Sequence, residues 1–173
     1  MTSPTALTNA SPSAERPEAR IDPRLAPWIA FIRAHAAVSR TLAAELEAEQ
    51  SLSLAEYDAL VQLTIADGHR LRMNELADRL LLTRSGVSRL VDRLVEGGHV
   101  ERLACSTDAR GAFAVLTKAG LRRLRDASPT HLRGVDEHFL AAIPEEDRAA
   151  FVRVLEGIVA AAGGDGREPA KGC

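Results

Sequence analysis

At 173 residues and 46% hydrophobic, the chain suffices for one domain with a real core; at only 3% aromatic, that core must be Leu, Val, Ile and Ala, which suits interleaved helices. The formal net charge of −2 argues against a nucleic-acid partner only until it is divided: Arg70 to Arg125 holds twelve Lys and Arg against six acids, a local +6 that leaves −8 on the remainder. Two cysteines, Cys105 and Cys173, exclude a secreted disulfide framework, and neither a run of about 18 apolar residues nor a signal-peptide core is present. A soluble, cytoplasmic protein with no membrane partner is expected.

Residues 1–22, rich in Thr, Ser, Pro and Ala without periodicity, read as a disordered tail. A long helix is expected over 23–50, with Pro27 in its first turns and a stripe of Leu25, Trp28, Ile29, Ile32, Ala36, Leu42 and Leu46. Such a helix has little else to cover it within one chain, so it is expected to pair with a second subunit, a private core packing being the alternative. Ser53-Leu-Ala-Glu56 is a capping-box pattern that starts the next helix, with Leu54, Tyr57, Leu60, Val61 and Ile65 as its buried side and Asp67-Gly68 as its end. A short helix from Met73 to Leu80 buries Met73, Leu76, Ala77 and Leu80, although Arg72 is a poor N-cap.

Leu81-Leu82 then reads as a turn into Thr83–Gly98, TRSGVSRLVDRLVEGG. Wound as a helix, this segment puts Val87, Leu90, Val91, Leu94 and Val95 on one side and Ser85, Ser88, Arg89, Asp92 and Arg93 on the other. Thr83 can cap its start, and Gly97-Gly98 supplies a left-handed stop. Taken alone it is as readily an ordinary amphipathic surface helix. Two short helices joined by a tight turn, the second polar outside, make a helix-turn-helix.

His99–Ala104 and Gly111–Thr117 read as two strands, joined by the polar loop Cys105-Ser-Thr-Asp-Ala-Arg110. A hairpin directly after a recognition helix is a wing. Arg110 near its tip can enter an adjacent minor groove, and Asp108 can hold that side chain through a charge-assisted hydrogen bond. Thr117 can cap a helix from Lys118 to about Ala142, which Pro129 should bend or split near Ser128. Ile143-Pro144-Glu-Glu breaks the chain and starts a last helix, with Pro144 in its first position and Phe151, Val154, Leu155, Ile158 and Val159 on its apolar side. Gly163-Gly164 ends it, and 163–173 read as a loose tail. The fold expected is mainly α with a small β-hairpin wing: a winged helix-turn-helix over 51–117, and dimerisation helices over 23–50 and 118–162.

This order of elements, and the segments MNELADRLLLTRSGVSRLVDRLVEGGHVER and CSTDARGAFAVLTKAG within it, resemble the multiple antibiotic resistance regulator (MarR) family over about residues 24–160. Asp108-x-Arg110-Gly111 ahead of Leu116-Thr117-x-x-Gly120 is the most specific part. The resemblance implies a triangular homodimer whose terminal helices interlock and whose two winged lobes bind successive major-groove half-sites of a pseudo-palindromic, double-stranded operator. It implies a DNA-facing set of Thr83, Arg84, Ser85, Ser88 and Arg89, with Arg93 nearer to phosphate and Arg110 as the wing-tip arginine held by Asp108. The expected role is transcriptional regulation, as a repressor released by a small effector. Family members commonly answer to aromatic acids or other phenolics lodged between the dimer helices and the lobe. Here Trp28, Ile32 and His35 with Tyr57 are the candidates to line that cleft, and Arg122 the candidate to meet a carboxylate; each also has an ordinary reading as core or surface.

Other classes fare less well. No nucleophile with a base, paired acids or phosphate-cradling loop occurs at catalytic spacing, so an enzyme is not expected, nor a cofactor. His131 and His138 are seven apart on one helix face beside Glu137, but the i, i+4 pair that brackets an ion is missing, so no metal is expected. Two alternatives remain: a redox-responsive regulator acting through Cys105 on the wing, and a winged-helix module that binds protein instead of DNA. Arg84, Arg89 and Arg93 count against the second.

Overall fold

A single 3-10 turn, Pro23–Leu25, opens the structured chain, with the Asp22 carboxylate accepting from the Arg24 amide at 2.9 Å, and runs into α1 (Ala26–Gln50). The computed structural model describes residues 22–104 and 112–163. Of the apolar stripe expected on α1, only Leu42 and Leu46 are buried within the protomer, while Trp28 at its other end is 61% exposed. The periodicity makes the helix; the covering of its first half is not supplied by this protomer. Ser51, in the left-handed region, ends it.

In α2 (Leu54–Ile65) the capping box forms as written: Ser53 Oγ accepts from Glu56 N at 3.3 Å, and the Glu56 carboxylate accepts from Ser53 N at 3.0 Å. Its buried side needs correction. Tyr57, Ala59, Leu60 and Leu63 face the core, whereas Ile65, at the edge of that arc and on the last position of the helix, is 66% exposed. After the turn Asp67–His69 comes β1 (Arg70–Arg72), which the sequence reading lacked. It is followed by α3 (Met73–Arg79), one residue shorter than expected. Arg72 brings no side-chain cap, but its amide donates to the Glu75 carboxylate at 3.0 Å, half of a capping box.

α4 (Arg84–Glu96) leads into β2 (Val100–Ala104) and β3 (Ala112–Leu116), an antiparallel pair registered from Val100–Leu116 to Ala104–Ala112. The expected two-stranded wing is a three-stranded sheet in the order β1-β3-β2, with Leu71 opposite Ala114. Both of those side chains are buried and join the one core, with Leu46, Tyr57, Leu60, Leu63, Leu76, Val87, Leu90, Val91, Leu94, Val100 and Leu124.

α5 (Lys118–His138) ends short of the expected Ala142, and of the bend or split expected at Pro129 the split does not occur. Proline removes one backbone donor, the one that would serve Arg125 O, and packing along α1 and α2 outweighs that loss. Thr130, buried directly after the proline, is held from α1 by hydrogen bonds with Gln50 and Glu49 at 3.0 and 3.2 Å. A 3-10 turn, Leu140–Ala142, replaces the missing last turn. α6 (Glu145–Ala161) has Pro144 as its N-cap, one place earlier than expected, with Glu145, Glu146 and Asp147 in its first turn. No residue of α6 is buried. Among the described residues no helix is long and apolar enough to cross a membrane.

Candidate nucleic-acid interface

α4 is fixed at both ends by local chemistry. Thr83 Oγ1 accepts from Gly86 N at 3.1 Å and lies 3.2 Å from Ser85 Oγ, so the threonine serves as the cap. At the other end Gly98, at φ +71°, closes a Schellman motif: His99 N reaches Leu94 O at 2.8 Å, and Gly98 N reaches Val95 O at 2.9 Å. Val87, Leu90, Val91 and Leu94 are buried, while Val95, expected with them, is half out. The opposite side exposes Arg84, Ser85 and Arg89. Neither of these arginine side chains has an ion-pair partner among the described residues. With the positive end of the helix dipole beside them, they form an anion-seeking surface.

Arg93 is differently placed. Its Nε donates to Glu56 Oε1 at 2.9 Å, tying the last turn of α4 to the first turn of α2. Burial raises the Glu56 pKa, but the hydrogen bonds from Arg93 and Ser53 outweigh it and hold the carboxyl below its ordinary value. Its charge is therefore already matched within the protein.

Arg102 was missed. From β2 its Nη2 donates to Ser88 O at 2.9 Å and to Ser88 Oγ at 3.2 Å, and lies 3.0 Å from Asp92 Oδ1. It binds two residues one turn apart on the outer face of α4. The one hint in the sequence was Asp92, an acid on a face otherwise meant for phosphate. A second missed feature is on the sheet. Arg70 and Arg72 of β1 set their guanidinium carbons 5.2 and 5.1 Å from the centroid of Phe113 on β3, a pair of cation–π contacts.

Asp108, Arg110 and Cys105 lie outside the described residues. The candidate effector residues are not brought into one pocket within the protomer. His35 lines an apolar cleft of about 510 Å³ between α1 and α6, with Phe31, Phe139, Phe151 and Leu155 among its walls, whereas Trp28 and Ile32 are exposed on α1. Tyr57 is buried in the core and is not among the residues that line this cleft. Its ring packs on His131 of α5 at 4.3 Å. Arg122 is exposed on α5. His131 and His138 do not act together either. Burial holds His131 below its ordinary pKa, opposed by Asp58, while His138 Nε2 meets Glu45 Oε1 at 2.6 Å. Glu45, Glu137 and His138 present ligand atoms within 4.8 Å of one another, a grouping hidden from the sequence because Glu45 comes from α1.

A capped helix carrying outward arginines and hydroxyls, set behind a short helix and a tight turn and followed by a small antiparallel sheet, defines a winged helix-turn-helix. The model of the MarR family matches residues 50–111. Sco3205, a MarR family transcriptional regulator from Streptomyces coelicolor solved in complex with DNA, is 31% identical, with 77% of this chain and 83% of that one aligned at a TM-score of 0.70. AbsC, a MarR family transcriptional regulator from the same organism, is 29% identical over 84% of this chain and 97% of its own, at a TM-score of 0.72. The HTH-type transcriptional repressor YetL of Bacillus subtilis is 31% identical over 108 residues, 62% of this chain. The chain spans 57% and 64% of the length of two curated relatives that it matches. The chain belongs to the MarR family, and the relatives named here are transcriptional regulators, not enzymes.

Proposed function

We propose that the protein is a sequence-specific, double-stranded-DNA-binding repressor that works as a homodimer, its two lobes set on half-sites about one helical turn apart. The observation that carries this reading is the outer face of α4, where Arg84, Ser85 and Arg89 stand exposed and the arginines have no ion-pair partner among the described residues. Arginine there can pair with guanine O6/N7, and Arg110 at the wing, held by Asp108, would enter the flanking minor groove. Dimerisation is supported by the two helices that leave their apolar sides open: Trp28, Phe31 and Ile32 on α1, and Phe151, Val154, Ile158 and Val159 on α6 are all exposed in the single protomer. Repression is supported by the name of the Bacillus subtilis relative. A small aromatic effector would favour a lobe spacing that no longer fits the half-sites. Of the residues offered for it, His35 supports a place in the cleft between α1 and α6.

The test is an anisotropy titration against DNA from upstream of the gene, with random DNA as control, at two salt concentrations. Tight binding to the first alone is expected, and Arg89→Ala should weaken it by about 1–3 kcal/mol. Equal, weak, salt-driven binding to both DNAs would overturn the reading.

A further inference from the structure

Arg102 belongs to the wing strand β2, where its backbone pairs with Ala114, yet its guanidinium turns to α4: Ser88 O at 2.9 Å, Ser88 Oγ at 3.2 Å and Asp92 Oδ1 at 3.0 Å. A hydroxyl has one proton to give and two lone pairs to offer. Three other helical hydroxyls of this protein spend that proton on the carbonyl one turn back. Thr41 gives it to Ala37 O at 3.3 Å, Thr64 to Leu60 O at 2.8 Å and Ser128 to Leu124 O at 2.8 Å. Ser88 makes no such bond to Arg84, and none to Asp92, among the described residues. Its oxygen accepts from Arg102 instead, so the proton must point away from the guanidinium.

Resting on the DNA-binding reading above, we infer that Arg102 is a positioning residue that makes Ser88 a hydrogen-bond donor toward the DNA. The α4 helix then reads, at that place, an acceptor on a base edge: guanine O6 or N7, adenine N7, or thymine O4. A serine without this constraint offers either polarity and tells little apart, whereas an oriented proton disfavours the amino groups of cytosine and adenine. The contact with the cation also polarises the O–H and strengthens it as a donor. The same guanidinium matches Asp92, whose charge would otherwise sit unpaired on the phosphate-facing side, one turn beyond Ser88. Position on the second turn of α4 favours a base edge over a phosphate, since the early residues of a recognition helix are the ones that reach the bases.

The experiment is a double-mutant cycle on discrimination, meaning the ratio of affinities for operator and random DNA, using full-length Ser88→Ala, Arg102→Met, Arg102→Lys and the Ser88→Ala/Arg102→Met pair. Ser88→Ala and Arg102→Met should each lower discrimination about fivefold, the worth of one net hydrogen bond. The pair should lose no more discrimination than Arg102→Met alone. Arg102→Lys, which keeps the charge but ends one bond short of the position of Nη2, should lose the same discrimination while retaining the salt slope. Substituting operator bases singly should locate one base whose change abolishes the Ser88 effect; an effect spread evenly over all positions would place the acceptor on phosphate and overturn the base-edge assignment. Additive losses in the pair, or full discrimination in Arg102→Lys, would overturn the positioning role. A uniform loss on both DNAs with a salt slope reduced by about one would make Arg102 a plain phosphate contact. If the wild-type protein itself fails to discriminate, the DNA-binding reading falls and this inference with it. If it discriminates but the cycle is additive, only the inference falls. Should Arg102→Met unfold, the Arg102→Lys and Ser88→Ala arms decide alone.

Discussion

Gly120→Ala isolates one atom of packing, because α5 presses its first turn directly onto the peptide that leaves the end of α4. A Cβ built at Gly120 would lie 2.1 Å from the His99 carbonyl oxygen, 3.0 Å from its carbon and 2.8 Å from Leu116 Cδ1. Leu116 can rotate aside, but the carbonyl cannot move freely. It accepts from Thr117 N at 3.1 Å and lies 3.1 Å from Thr117 Oγ1, whose one proton has the nearer Gly98 O at 2.8 Å, and the same hydroxyl caps α5 by accepting from Gly120 N at 2.9 Å. Relief needs a shift of about 1 Å, which costs the bond from Thr117 N at about 1 kcal/mol and adds about 1–3 kcal/mol of overpacking strain. Alanine's better helix propensity returns about 1 kcal/mol. The net is a loss of about 1–3 kcal/mol, or roughly 2–12 °C in Tm for a chain of this size. The assay is thermal and urea unfolding at fixed protein concentration, with Gly134→Ala as comparison. There a Cβ meets only side-chain ends, Glu45 Oε2 at 2.5 Å and Leu42 Cδ2 at 2.6 Å, so the cost should be smaller. A Gly120→Ala protein as stable as wild type, or less perturbed than Gly134→Ala, would refute the reasoning.

Other perturbations have signs that follow from the same geometry. Glu56→Ala removes both the return half of the α2 capping box and the partner of Arg93, and should cost about 1–3 kcal/mol by urea unfolding. Because the Glu56 pKa is lowered on folding, the stability it contributes is complete above its ordinary value of 4.5 and lost as pH falls through the lower folded value; the acid limb of a stability–pH profile should flatten in Glu56→Gln. Leu81 is 92% exposed at φ +53°, so Leu81→Gly gives up almost no burial, relieves a left-handed backbone and should stabilise by about 0.5–1 kcal/mol; a lower Tm would contradict that. Val154→Arg with Ile158→Arg charges an α6 face that is more than half exposed in the protomer and should yield a folded monomer by sedimentation; an unchanged dimer would exclude this face from the interface.

Sequence reasoning reached α4 because every signal there is local: a threonine that caps, two glycines that stop, and branched aliphatics on one side. It failed where the partner is distant or the element too short. β1 has three residues, too few for an alternation to show, and exists because Leu71 and Ala114 share the core. The partners of Arg93 and Arg102 stand 37 and 14 residues away, so neither the tie from Arg93 to α2 nor the one from Arg102 to the outer face of α4 shows in the local pattern. Pro129 was read by the local rule as a bend or a split, and the helix runs on through it without the split. On α1 the period of the apolar stripe fixed the helix but could not say which half would be covered, since Leu42 and Leu46 obey the same spacing as Trp28 and Ile32.

What links these pieces is α5. Its first turn is locked to the winged lobe through Thr117, Gly120 and His99, and Leu124 sits in the lobe core. Its last turns are locked to α1 by Gln50 with Thr130 at 3.0 Å, Glu49 with Arg133 at 2.5 Å and Glu45 with His138 at 2.6 Å. Pro129 lies between these two groups of contacts, where Arg125 O lacks its in-helix donor, while Arg123 with Gln50 and His131 with Tyr57 tie α5 to α1 and α2 on either side of it. Within a protomer, bending at that point costs fewer backbone hydrogen bonds than bending elsewhere along α5. Pro129→Ala, which restores the donor to Arg125 O, should stiffen α5 and slow amide exchange at residues 126–133; unchanged exchange there would contradict the reading.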